Sequence, residues 1–138
     1  MDNSVIFTII ILLLLIILFV AVSLGNKRIS IAKKKHILTK LEELRLTSSS
    51  QESSVRRDSI IKLDNLLSKS LQYYFKNSNL CGENLKIASK IFKKKEYNDL
   101  WEVHKIRNRI VHDDYDITQQ EAENAYSIYK MSILKILK

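Results

Sequence analysis

Arg107, Asn108 and His112 are the side chains of this 138-residue chain whose types and spacing best suit chemistry. An imidazole titrates near neutrality and can exchange a proton with a hydroxyl or a leaving oxygen. A guanidinium can neutralise negative charge, and Asn108 stands beside it as a polar neighbour. All three belong to the segment Leu100-Trp101-Glu102-Val103-His104-Lys105-Ile106-Arg107-Asn108-Arg109-Ile110-Val111-His112. Wound as a helix at ~100° per residue, it gathers Leu100, Val103, Ile106, Ile110 and Val111 on one apolar arc. Glu102, Lys105 and Arg109 take the solvated side. Arg107 breaks this order because it falls inside the arc, while His104 sits at its edge beside the i, i+4 pair of Asn108 and His112.

A guanidinium directed at a core is destabilising unless it is paired and hydrogen-bonded. Three arrangements satisfy it. Arg107 binds a buried carboxylate as a clamp, with Asp58, Asp64 or an aspartate after the helix as partner. It snorkels to the rim and buries only its stem. Or the helix lines a second surface where Arg107, Asn108 and His112 converge on a ligand.

Apolar spacing supplies the elements that must position these groups. A helix over roughly Val55 to Phe75 carries Ile60, Leu63, Leu67, Leu71 and Tyr74 on one stripe. A short helix from Glu83 to Phe92 follows Asn77-Ser78-Asn79 and Gly82, and carries Leu85, Ala88 and Ile91. Lys93-Lys94-Lys95 then reads as a charged break. The Arg107 helix starts near Asn98 or Asp99, either of which suits a cap, and ends at His112 before Asp113-Asp114-Tyr115-Asp116. Thr118-Gln119-Gln120-Glu121 has capping-box spacing and opens a last helix striped by Ala122, Ala125, Tyr126, Tyr129, Ile133 and Ile136. Such helices bury their stripes only against one another, so residues 55–138 are expected to close as a small bundle.

Composition agrees with an all-α class. Two Gly and no Pro leave no glycine-rich phosphate loop and no chain of tight hairpins. A single Cys permits neither an internal disulfide nor a cysteine-based zinc knuckle. The formal charge is +8, from 23 Lys and Arg against 15 Asp and Glu. This surplus suits nucleic acid and an anionic membrane surface equally.

The N-terminus is a different material. From Val5 to Leu24 no residue is charged, and Thr8 and Ser23 are the only polar side chains. As a helix of ~30 Å this run matches the hydrocarbon thickness of a bilayer, and it is apolar all round. Residues 1–25 are therefore expected to form a transmembrane anchor. Only Asp2, Asn3 and Ser4 precede the run, whereas Lys27, Arg28, Lys33, Lys34 and Lys35 follow it. That asymmetry predicts a single-pass protein of the cell membrane with its N-terminus outside and its C-terminal domain in the cytoplasm. Ala21-Val22-Ser23 looks like a small-x-small cleavage site, but a signal peptide carries its charge before a shorter apolar run. Residues 26–54 read as a basic juxtamembrane stalk, with Ile37, Leu38, Leu41 and Leu44 at helical spacing, followed by a Ser-rich linker from Thr47 to Ser54. The lysines up to Lys35 are expected only to fix topology, with contact to anionic lipid heads as the alternative.

The run Arg107-Asn108-Arg109-Ile110-Val111-His112 resembles the Arg-polar-x3-His signature of HEPN domains, helical bundles found in many prokaryotic ribonuclease toxins and immunity proteins. The order of elements from Val55 to Lys138 is similar too: an amphipathic helix from Asp58 to Phe75, a loop with Gly82-Glu83, the Arg and His helix, and a C-terminal helix. In active members the Arg and His, often paired across a dimer, cleave RNA without a metal. The resemblance therefore implies Arg107 and His112 as a catalytic pair with Asn108 as their polar neighbour, RNA as substrate, and a homodimer. Other members have lost activity and serve as dimerisation or binding modules. Some toxin members carry a Tyr two residues beyond the His, whereas Tyr115 lies three beyond His112. Asp113 and Asp114 would repel a phosphate backbone.

A non-catalytic interaction or dimerisation module is thus the leading expectation, with a membrane-tethered, metal-independent endoribonuclease as the alternative. No cofactor and no metal are expected: His104 and His112 are not spaced as a recognised metal pair, and there is no His-Glu-x-x-His. His36 reads as solvated, Trp101, Tyr126 and Tyr129 as core, and Cys81 as an incidental thiol. Ile128, Met131 and Leu134 lie off the last helix's main stripe and offer a second contact surface.

Overall fold

A computed structural model describes residues 2–25 and 29–138. Six α-helices and one short 3-10 turn make up its regular structure, with no strand among the described residues. They are α1 (Asn3–Gly25), α2 (Ile31–Ser48), α3 (Ser53–Phe75), α4 (Cys81–Ile87), the 3-10 turn Ala88–Lys90, α5 (Lys94–His112) and α6 (Gln119–Ile136). Helices α2 to α6 form the bundle. Over Asn3–Ser23, α1 is one helix of 21 residues, long and apolar enough to cross a membrane and buried nowhere along its length. Lys27 and Arg28, part of the expected topology signal, lie outside the described residues.

Helix α3 is the axis of the bundle and packs against α2, α4, α5 and α6. Its Ile60, Leu63, Leu67 and Leu71 are wholly buried, as a stripe at three- and four-residue spacing requires. Tyr74, placed on the same stripe by spacing, is instead exposed, and Phe75, four residues after Leu71, packs against the core in its place. The α6 stripe from Ala122 to Ile136 is buried throughout. Thr118 and Glu121 form the expected capping box. The Glu121 N–H donates to Thr118 Oγ1 at 3.2 Å, and the Thr118 N–H donates to Glu121 Oε2 at 2.9 Å.

Two boundaries differ from the sequence reading for one shared reason. Helix α5 begins at Lys94, inside the expected charged break, because Glu96 reaches back and accepts the Lys93 N–H at 2.7 Å. Helix α4 begins at Cys81 because Glu83 likewise accepts the Leu80 N–H at 3.0 Å. In each case a carboxylate three residues into the helix satisfies an orphan donor and opposes the positive end of the helix dipole. The expected stalk also changes status. Ile37, Leu41 and Leu44 of α2 are buried against α3 and α6, so this helix is a wall of the bundle and the bundle starts well before Val55. Its short apolar edge suffices because two neighbours share it.

Polar staples close the loops. Arg56, mostly buried, donates from Nε to the Ile117 carbonyl at 3.0 Å and from Nη1 to the carbonyls of Ser50 and Gln51 at 3.0 and 2.8 Å. One side chain thereby ties the α2–α3 turn to the α5–α6 loop. Asn77 and Asn84 exchange amide hydrogen bonds of 2.8 and 3.0 Å and pin the loop between α3 and α4.

Candidate functional site

The inward-facing cation on α5 meets a carboxylate on α3. Leu63 and Leu67 anchor α3 in the core, and Asp64 between them is 2 % exposed. Arg107 Nε lies 3.6 Å from Asp64 Oδ2. That distance is an ion pair without a hydrogen bond, and Arg107 Nε is buried with no hydrogen-bond partner among the described residues. The Nη1 group donates to Asn108 Oδ1 at 3.1 Å, and the side chain as a whole remains 26 % exposed. Of the aspartates open to Arg107 on sequence grounds, Asp64 is the one it faces.

Asp64 serves more than Arg107. Its Oδ1 accepts from His104 Nδ1 at 2.8 Å, with both side chains buried. The carboxylate can only accept, so this contact puts the imidazole hydrogen on Nδ1 and turns Nε2 toward Gly82. Tyr129 directs its single hydroxyl hydrogen between Asp64 Oδ1 and the Val103 carbonyl, each 3.1 Å away. The Cys81 thiol lies 3.9 Å from the same oxygen. Four elements, α3, α4, α5 and α6, therefore converge on one carboxylate.

Electrostatics follow from this burial. Desolvation, and after it the charge of Asp64, push the Cys81 thiol far above its ordinary range, so it stays protonated and is a poor nucleophile. Tyr129 is raised well above the usual phenol value, first by burial and then by Asp64. Asp64, Cys81 and His104 present three donor atoms within 4.8 Å of one another. Their chemistry fits a hydrogen-bonded knot better than a metal centre. Asp64 Oδ1 already accepts two hydrogen bonds, and the fixed charge of Arg107 opposes a cation.

One side of this knot opens into a cleft of about 500 Å³, lined among others by Asn65, Ser68, Trp101, His104, Arg107 and Asn108. Arg107 and Asn108, two of the three site residues read from sequence, thus reach the cleft. His112 does not line it and stands exposed at the C-terminal end of α5. The loop that follows His112 is tied down. Asp114 pairs with Arg57, Asp116 accepts from Ser53, and Arg109 stacks on the Tyr115 ring at 3.7 Å. The residues that sequence reasoning missed are His104 and Cys81. An inward-facing Asp on a leucine stripe, matched by an inward-facing Arg, was the available signal for this centre. Their partners stand 17 to 65 residues from Asp64 along the chain, beyond any spacing rule. Comparison with models of protein families, with curated proteins and with solved structures finds no match.

Proposed function

We propose that the chain is a membrane-anchored helical module of HEPN-like type that works by binding rather than by cutting RNA. In this reading α1 spans the bilayer with its N-terminus outside, and the bundle lies in the cytoplasm. The observation that carries it is the engagement of Arg107 with Asp64. A guanidinium held 3.6 Å from a buried carboxylate, within a network shared by His104 and Tyr129, already has its counter-charge. To stabilise a phosphoryl transition state, an arginine must instead present its charge to the substrate. Within one copy the exposed His112 does not line the cleft that Arg107 lines, which supports the binding reading over the catalytic one. The cleft beside Trp101, Arg107 and Asn108 is then a recognition surface.

The test uses the full chain in lipid nanodiscs, incubated with single-stranded RNA in the presence of a chelator. Wild type and His112→Ala should leave the RNA equally intact. Cleavage by wild type that His112→Ala abolishes would overturn the binding-module reading in favour of the nuclease.

A further inference from the structure

Charge in the bundle is segregated by its ends. Lys33 Nζ lies 4.5 Å from the centre of the Tyr73 ring, Lys34 Nζ donates to the Lys138 carbonyl at 3.5 Å, and Lys135 pairs with Glu96 at 2.5 Å. These contacts bring the start of α2, the last turn of α3, the end of α6 and the start of α5 to a single end of the molecule. The acidic residues there, Glu96 and Asp99, are already bound by Lys135 and Lys95. The opposite end holds the acidic loop from Asp113 to Asp116.

Two details of the basic end run against the intrinsic preferences of a helix. Helix α2 opens on Lys33, Lys34 and Lys35 with no acidic residue in its first turn, although the positive end of a helix dipole disfavours cations there. Helix α5 repeats the pattern with Lys93, Lys94 and Lys95, relieved by Glu96 and by the pairing of Lys95 with Asp99. Ile31, the first residue of α2, is 85 % exposed. An anionic surface would offset both lysine clusters and receive the isoleucine. Residues 26–30 are all that separate α1 from α2, a span of about 20 Å at full stretch. If α1 crosses the membrane, this end is tethered beside the headgroups.

We propose that the lysine-bearing end of the bundle docks on a bilayer surface rich in anionic headgroups, with Ile31 at the interface. The docking holds the Asp113–Asp116 end and the Arg107 cleft away from the bilayer. It rests on the reading of α1 as a span. A lipid surface fits better than nucleic acid because an exposed apolar residue and a short tether adjoin the lysines.

The experiment places an environment-sensitive fluorophore on Lys94→Cys in the full chain, with the buried Cys81 kept, in nanodiscs containing nitroxide-labelled lipid. Lys94 is remote from the tether in sequence, so its quenching reports docking of the whole end. In discs containing phosphatidylserine, quenching should be at least about twofold greater than in phosphatidylcholine discs. Raising salt to about 1 M, where the Debye length falls to ~3 Å, should abolish the difference, and so should Lys33→Glu with Lys34→Glu and Lys35→Glu. A probe on Asp113→Cys should stay unquenched throughout. Equal quenching of the Lys94 probe in both lipids, or equal quenching at both probe sites, would overturn the docking. So would a Lys94 probe that ignores lipid composition but shifts on adding single-stranded RNA, which would assign these lysines to nucleic acid. Alkaline carbonate extraction of the reconstituted chain separates the two readings. Release from the bilayer would refute the span, whereas retention with an unquenched Lys94 probe would refute only the docking.

Discussion

Helix α5 carries two histidines in opposite circumstances. His104 is buried, hydrogen-bonded at 2.8 Å to Asp64 and covered by the Trp101 ring, which meets it edge-on at 5.8 Å. His112 is exposed beside a loop in which Asp114 and Asp116 are engaged by Arg57 and Ser53. The first belongs to a polar knot inside the bundle and the second to its acidic end. Placing a reactive residue type near a helix terminus does not make a site; what decides is whether a second element brings it a partner. Here α3 supplies that partner to His104 and Arg107, whereas His112 stands exposed.

The widest separation between the two regions should come from Asp64→Ala. It removes the acceptor of His104, one of the two acceptors of Tyr129 and the counter-charge of Arg107. A loss of about 3–5 kcal/mol in unfolding free energy is expected from chemical denaturation of the full chain in detergent. Tyr129→Phe deletes one hydroxyl from the same knot and should cost about 1–2 kcal/mol in the same assay. Arg107→Ala should cost roughly 1 kcal/mol, less than a buried charge would, because the guanidinium is partly solvated.

Smaller effects sharpen the contrast from outside the knot. Glu96 is held below its usual carboxylate range, first by the hydrogen bond from Lys135 and then by the Lys93 N–H. Glu121 is held below it by Tyr115 and then by the Thr118 N–H. Lowered folded-state values mean that their contribution is complete above the ordinary Glu pKa of ~4.3 and is lost as pH falls through the lower folded values. Acid titration of stability should show this decline, and Lys135→Ala should shrink the Glu96 part of it. His112→Ala should come last, with a change within about 0.5 kcal/mol. A larger loss would place His112 in the packed structure and erase the difference between the two histidines.

How much of this was legible in the sequence depended on whether the signal was local. The α6 stripe and its Thr118 and Glu121 cap were fully readable, because the spacing that defines them lies within a few residues. The inward position of Arg107 was readable for the same reason, and so was Asp64 as one of its candidate partners. The start of α5 was not, since three lysines look like a break until Glu96 caps them. The role of α2 was hidden by its sparse apolar content, which suffices only because α3 and α6 share its burial. His104 and Cys81 join Asp64 through tertiary packing across three elements, and no pattern along the chain encodes that meeting.

The most direct test of the division between the two regions is a double-mutant cycle of Asp64→Asn and Arg107→Ala, measured by denaturant unfolding of the full chain in detergent. A structural ion pair predicts a coupling of roughly 1 kcal/mol, with the double variant less destabilised than the sum of the single ones. Effects that add to within about 0.3 kcal/mol would mean that Arg107 does not lean on Asp64. The guanidinium would then be free for a ligand, contrary to the account given for this site.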